Sequence, residues 1–134
     1  MEVIRAEAMG FCFGVRDALE LAASVENPRE VTIHGELVHN ERVLDDLRQR
    51  GYTLSGENER SIPATESVLV TAHGISNRER DRLQQAGKTL IDTTCPLVRR
   101  AHDAAMRLAN DDRFVVVLGK PDHVEVLGLS LIHI

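Results

Sequence analysis

Apolar positions along this chain come in two alternating spacings. Short runs suited to buried strands are followed by stretches in which apolar side chains recur every three or four residues, the period of a helix with one inward face. Val3, Ile4 and Ala6 predict a strand, and Val15, Ala18, Leu19 and Ala22 predict the helix after it. Val31–His34 predicts the next strand, followed by a helix carrying Val43, Leu44 and Leu47 that Gly51 closes as a C-terminal cap. Ser67–Ala72 is the clearest buried strand, and the polar stretch Asn77–Gln85 makes a mostly solvated helix ending at Gly87. Thr89–Ile91 predicts a further short strand. Pro96 suits the first turn of a helix with Leu97, Ala101, Ala104 and Leu108 inward, and Phe114–Leu118 reads as one more buried strand. Strands alternating with helices imply right-handed βαβ units, so the expected class is α/β: a small, mainly parallel sheet with flanking helices.

Length narrows this picture. A chain of 134 residues holds one core of ordinary size and at most a piece of a second. The segment Ser55–Thr65, with Gly56, Pro63 and several charges, is the best loop, and no repeat or low-complexity tract interrupts the pattern. At 43% hydrophobic and 28% charged residues the composition is that of a soluble globular protein, and no apolar run approaches a membrane span. Met1–Arg5 shows no basic region followed by a hydrophobic segment, so no signal peptide is indicated and a cytoplasmic, reducing compartment is expected. There a disulfide between the two cysteines is not expected. A net charge of −5 argues against a general nucleic-acid binder, so any anionic ligand must be held by a local cluster. The uncharged ending Gly128–Ile134 carries no cap or turn chemistry and reads as interrupted.

The two cysteines sit in tight turns, Gly10-Phe11-Cys12-Phe13-Gly14 and Asp92-Thr93-Thr94-Cys95-Pro96, rather than in apolar runs. A loop that can wrap a metal centre, beside a helix N-terminus, suits a ligand thiolate better than a packed thiol. In this reading the unusual polar residues share one edge of the sheet. Cys12 follows the first strand, His39 the second, His73 the third, Cys95 the fourth and His123 the fifth. Open parallel sheets bind ligands outside the carboxyl ends of their strands. Taken singly, His39 is an ordinary helix-start residue beside an Asn cap, His73 a turn residue and His123 a loop residue; the shared edge favours a site for the set. His34 is ambiguous because it also ends a strand, while His102 and His133 are expected to do nothing specific. Glu125 is either a solvated charge or a proton donor at the same site, on one face with His123 if the backbone is extended. Gly119-Lys120 lacks the glycine and the following Ser or Thr of a phosphate loop.

As a set, Gly10–Val15, Leu37–Asn40, Ala72–Ser76, Asp92–Val98 and His123–Gly128 resemble, in order and approximate spacing, the 4-hydroxy-3-methylbut-2-enyl diphosphate reductase (LytB) family. The resemblance runs from about the first strand to Gly128, with no match seen from Leu129 onward. It implies an iron–sulfur oxidoreductase that makes isopentenyl and dimethylallyl diphosphate at the last step of the non-mevalonate isoprenoid pathway. It also implies a three-lobed α/β assembly closed around one cluster, of which this chain is the first lobe, 1–95, and the start of the second, 96–134. By motif, Cys12 and Cys95 would each ligate an iron of a [4Fe-4S] cluster. His39, His73 and His123 would surround the substrate diphosphate, and Glu125 would stand beside the hydroxymethyl group as proton source. The implied partners are the allylic diphosphate and an electron donor such as ferredoxin or flavodoxin, with neither nucleic acid nor membrane.

Departures from the family pattern set limits on these implications. Family members draw a third cysteine, and further Ser, Thr and Asn contacts, from later in the chain, so the resemblance implies that this chain alone is not a competent reductase. Asp122 and Val124 flank His123 where a proline is common. The alternative from another class is a zinc-binding structural module using Cys12, Cys95 and one or two histidines, although the paired short spacings usual for zinc are absent. A thiol-redox protein is weaker still, for want of a nearby cysteine partner.

Overall fold

The computed structural model describes residues 2–5, 7, 9–56, 61–121 and 123–130. Ala6 of the expected first strand, residues 57–60 of the expected loop, Asp122, and residues 131–134 with His133 lie outside them. In chain order the elements are α1 (Phe13–Ala23), a 3-10 turn (Pro28–Glu30), β1 (Val31–His34), α2 (Glu41–Arg50), β2 (Thr53–Leu54), β3 (Ser67–Val70), α3 (Asn77–Gln85), β4 (Thr89–Asp92), α4 (Pro96–Asn110) and α5 (Val124–Ser130). The four strands form one sheet in the order β2-β1-β3-β4, every pair parallel. The α/β class and small parallel sheet expected from the apolar pattern are therefore present, with β2 as an addition too short for that pattern to show.

Alternation along the strands sends side chains to two faces. Val31 and Ile33 of β1 and Leu69 of β3 join Ala18 and Ala22 of α1, Leu47 of α2 and Tyr52 in one buried cluster. Ile33 and Leu69 are fully buried, and each such side chain contributes about 1.5–3 kcal/mol relative to leaving it in water. Tyr52 pins α1 to this core by donating its hydroxyl hydrogen bond to the Ala22 carbonyl at 2.6 Å. Burial raises its phenol pKa, against the opposing pull of the Arg50 charge. On the other face His34 of β1 meets α3, its Nε2 lying 3.0 Å from Glu79 Oε1.

Local chemistry sets the helix ends. Asn40 caps α2 by accepting from the Val43 N–H at 3.2 Å, and Ser76 caps α3 through the Glu79 N–H at 3.2 Å. Gly51 closes α2 at φ 103, a left-handed conformation that favours glycine.

Two expected strands and one helix face need correction. Val3 and Ile4 are not in a strand, and Ile4 is 87% exposed. The run Phe114–Leu118 lies in no strand, with Phe114 94% and Leu118 92% exposed. Both segments carry the apolar signature of a buried strand, but a strand also needs a hydrogen-bonding neighbour, and neither segment is part of the sheet. Cys12 and His123 therefore do not follow strands. In α4 the inward stripe runs through Val98, His102, Ala105 and Ala109; of the four positions expected inward, Ala104 is half-buried while Leu97, Ala101 and Leu108 are exposed, Leu97 by 56%. A polar residue, His102, occupies a core-facing position that a count of apolar residues passes over.

Candidate active site

The strand order turns outward in opposite directions from the β1–β3 pair, β2 lying beyond β1 and β4 beyond β3. The crevice at the carboxyl ends of β1 and β3 is the switch point where open α/β sheets take ligands. His39 follows β1 and His73 follows β3, and their rings stack there with centroids 4.8 Å apart. His123 arrives from the segment before α5 and meets both rings edge-on, 6.3 Å from His39 and 6.1 Å from His73. The structure thus brings all three histidines together, although only two lie at strand ends.

Two of the rings are held by carboxylates. His39 Nδ1 lies 2.9 Å from Glu36 Oε2, and His73 Nδ1 lies 3.2 Å from Glu125 Oε1. A carboxylate on one ring nitrogen fixes the orientation of the imidazole and leaves the other nitrogen for a ligand. Nε2 of His73 is buried and has no hydrogen-bond partner among the described residues. His123 is oriented differently. Its Nδ1 accepts from the Glu125 N–H at 3.3 Å and its carbonyl accepts from the Leu127 N–H at 3.0 Å, so it caps α5. Glu125 consequently lies in the first turn of a helix, not on an extended segment shared with His123. The two come together through the cap.

Cys12 and Cys95 are free thiols at matched positions, the N-caps of α1 and α4. Cys12 is exposed and Cys95 half-buried. The Cys95 sulfur lies where a side chain at Gly14 would be: a Cβ there would come within 2.6 Å of Sγ. The missing side chain at Gly14 therefore brings the Cys95 thiol against the first turn of α1, the helix that Cys12 caps. The Cys95 N–H also donates to the Ala72 carbonyl at 3.0 Å, joining the cysteine turn to the turn that carries His73. Two thiols at two adjoining helix N-termini fit a shared iron–sulfur group, whose anionic sulfur ligands helix dipoles complement. Among the described residues no three His, Cys, Asp or Glu side chains are grouped to hold a metal ion.

A model of the LytB protein family matches residues 3–132. The chain belongs to the LytB family. The match continues past Gly128, further than the motif resemblance reached. Among curated LytB relatives, the 4-hydroxy-3-methylbut-2-enyl diphosphate reductases of Pseudothermotoga lettingae and Petrotoga mobilis are each 40% identical over 97% of this chain, covering 48% and 47% of their own lengths. The chain therefore spans about half the length of the curated relatives it matches. A solved (E)-4-hydroxy-3-methyl-but-2-enyl diphosphate reductase, described as the terminal enzyme of the non-mevalonate pathway, superposes with a TM-score of 0.78 at 32% identity, over 97% of this chain and 46% of that one. The E-1-hydroxy-2-methyl-but-2-enyl-4-diphosphate reductase of Plasmodium falciparum superposes with a TM-score of 0.83 at 28% identity, over 94% and 40%. No helix among the described residues is long and apolar enough to cross a membrane.

Within this LytB site, several residues that sequence reasoning passed over hold the named ones in place. Glu36 carries His39. Asp92 accepts hydrogen bonds from the Thr94 N–H and hydroxyl at 2.9 and 2.5 Å. Burial opposes ionisation of Asp92, but those bonds and the Arg80 guanidinium hold its carboxyl below the usual range. His34, ambiguous in sequence, takes a structural role with Glu79, which also binds Arg82 at 2.7 Å. Burial likewise opposes charge on Glu79, while Arg82 and His34 outweigh it and lower its pKa. His102, expected to do nothing specific, packs its ring 3.5 Å from where a Cβ at Gly128 of α5 would stand. The signal that could have revealed it was its helical register with Val98 and Ala105.

Proposed function

We propose that this chain supplies the first lobe and the start of the second, divided near residues 95 and 96, of an iron–sulfur reductase acting on 4-hydroxy-3-methylbut-2-enyl diphosphate in the cytoplasm. The observation that carries the proposal is the convergence of His39, His73 and His123 at the switch point, joined through the hydrogen bond from the Cys95 N–H to the Ala72 carbonyl to the turn that carries the Cys95 thiol. Cys12 and Cys95 each ligate one iron of a [4Fe-4S] cluster. The three imidazoles donate to the diphosphate oxygens, a dense set of donors in a chain whose net charge is −5. His73 presents its Nε2, which has no partner among the described residues, and His123 presents Nε2 because its Nδ1 is occupied as an acceptor.

The overall conversion breaks the allylic C–O bond, consumes two electrons and two protons, and releases water with isopentenyl or dimethylallyl diphosphate. When bound, the cluster supplies the electrons singly, drawn from a donor of the ferredoxin or flavodoxin class. Glu125 delivers a proton to the departing hydroxyl, and His73 Nδ1, 3.2 Å from its carboxylate, is placed to return one.

Anaerobic reconstitution with iron and sulfide tests the cluster ligands, since visible absorbance should appear with the native thiols and be lost or strongly reduced in Cys12→Ala and Cys95→Ala. Turnover is read in a polypeptide extended to the length of the relatives. There Glu125→Gln should retain the absorbance and lose about 10²–10⁴-fold in rate, the usual worth of a general acid. Undiminished turnover would remove Glu125 from the chemistry.

A further inference from the structure

Between the last strand and the Cys95 turn lies a carboxylate with four partners. One oxygen of Asp92 receives the Thr94 N–H and hydroxyl. The other receives Arg80 of α3 at 2.7 Å and lies 3.3 Å from Arg99 of α4. Asp92 thus ties its own turn to the two helices that flank it. On its far side Thr94 presses on the His73 turn, its Cγ2 lying 3.0 Å from where a Cβ at Gly74 would be. Gly74 has φ +74, so neither its backbone conformation nor the space beside it accommodates a side chain readily. Two further bonds run parallel to this contact, from the Thr93 hydroxyl to the Val70 carbonyl at 2.6 Å and from the Cys95 N–H to the Ala72 carbonyl at 3.0 Å.

We propose that Asp92 is a positioning residue that sets Cys95 and His73 together, so that the Cys95 thiol and the imidazole cluster hold one relative geometry. This rests on the roles proposed above for Cys95 and His73. An exposed ion pair contributes little to structure, but the Asp92 side chain is only 20% exposed, and a charge-assisted carboxylate with four partners resists reorientation. Restraint passes from Asp92 through Thr94 to Gly74 and through the peptide to Cys95. Cys12, on α1, stands outside this path.

The test uses the metal-free 134-residue protein. Iodoacetamide labelling followed by mass spectrometry gives the ratio of Cys95 to Cys12 alkylation rates, and the Cε1–H resonance of His73 reports the imidazole cluster. Asp92→Ala should raise the ratio about tenfold, the scale of one lost charge-assisted hydrogen bond, and shift the His73 resonance. Asp92→Asn keeps an acceptor for Thr94 but loses the guanidinium pairs, and should move both readouts less, in the same direction. Leu83→Ala, a core truncation in α3, should lower the melting temperature and leave the ratio unchanged, which separates positioning from general loosening. Should Asp92→Ala fail to fold, Asp92→Asn decides. Unchanged readouts in the folded Asp92 variants, or faster Cys95 labelling without any change at His73, would overturn the proposal. Absence of cluster absorbance in the reconstituted native protein would count against the functional reading instead, and would leave the clamp result standing.

Discussion

A histidine with one nitrogen on a carboxylate offers a ligand only the other, and for His39 and His73 the partners Glu36 and Glu125 make that choice. Replacing His39, His73 or His123 by Ala should each weaken binding of the allylic diphosphate by about 1–3 kcal/mol, the worth of a charge-assisted hydrogen bond. Calorimetric titration reads this directly, and unchanged affinity in all three variants would leave the cluster without its assigned role. The half-buried His102 makes a separate, pH-dependent contribution. Desolvation lowers its pKa below the ordinary 6.5, helped by Arg80 and against the opposing pull of Asp103 and Glu125. Its folded form therefore binds fewer protons than its unfolded form. The stability this provides is complete above about pH 6.5 and falls as pH drops toward the lowered value. Asp92 and Glu79, also depressed, add a second loss below about pH 4.5. Denaturant titrations from pH 8 to 3 should show both arms, and His102→Gln should flatten the upper one. An equal slope between pH 7 and 5 in that variant would show that His102 is not its source.

At the level of elements, the sequence was legible wherever a local rule and a tertiary partner agreed. The α2 helix shows both, with Asn40 at its start, Gly51 at its end and Leu47 in the core. The third strand was plain because its apolar run is buried beside β1 and β4. Phe114–Leu118 has the same composition without the neighbours, and composition alone does not reveal whether a neighbour exists. The rotation of α4 was hidden for a different reason, since its inward stripe includes a histidine. Two of the three clustered histidines, His39 and His73, were legible as strand-end residues, whereas His123 and the supporting groups were not, because His123 follows no strand and Glu36 and Asp92 look like any other acidic residues until folding brings them to His39 and Thr94. Gly14 shows how an element's role can invert a local expectation. Alanine in a helix interior is ordinarily better than glycine by roughly 0.5–1 kcal/mol. Here the added Cβ would meet Cys95 Sγ at 2.6 Å and Cys95 Cβ at 3.1 Å. Gly14→Ala should therefore lower the melting temperature and displace the Cys95 thiol, measured by differential scanning calorimetry and by the Cys95 labelling rate. A more stable variant with unchanged labelling would mean that α1 and the Cys95 turn are not in close contact.

Over the whole molecule, the apolar surface is divided unevenly. The sheet and its helices bury a core, while Phe114, Val116 and Leu118 stand exposed on one segment outside the sheet, and Val3 and Ile4 on another. An apolar segment that lies outside the sheet and exposes its hydrophobic side chains favours association with another chain. Clusters of exposed apolar residues of this kind are uncommon on stable monomers, and a net charge of −5 supplies only modest repulsion against association. The 134-residue protein should therefore self-associate in a concentration-dependent manner through the Phe114–Leu118 segment. Sedimentation velocity across a hundredfold range of concentration would reveal the rise in mass. The double substitution Phe114→Lys and Leu118→Lys should abolish most of it without altering the melting temperature, because both side chains are more than nine-tenths exposed and hold nothing in the core. Association that persists in this variant would place the contact elsewhere, and a fall in melting temperature would show that the segment packs against the fold in solution.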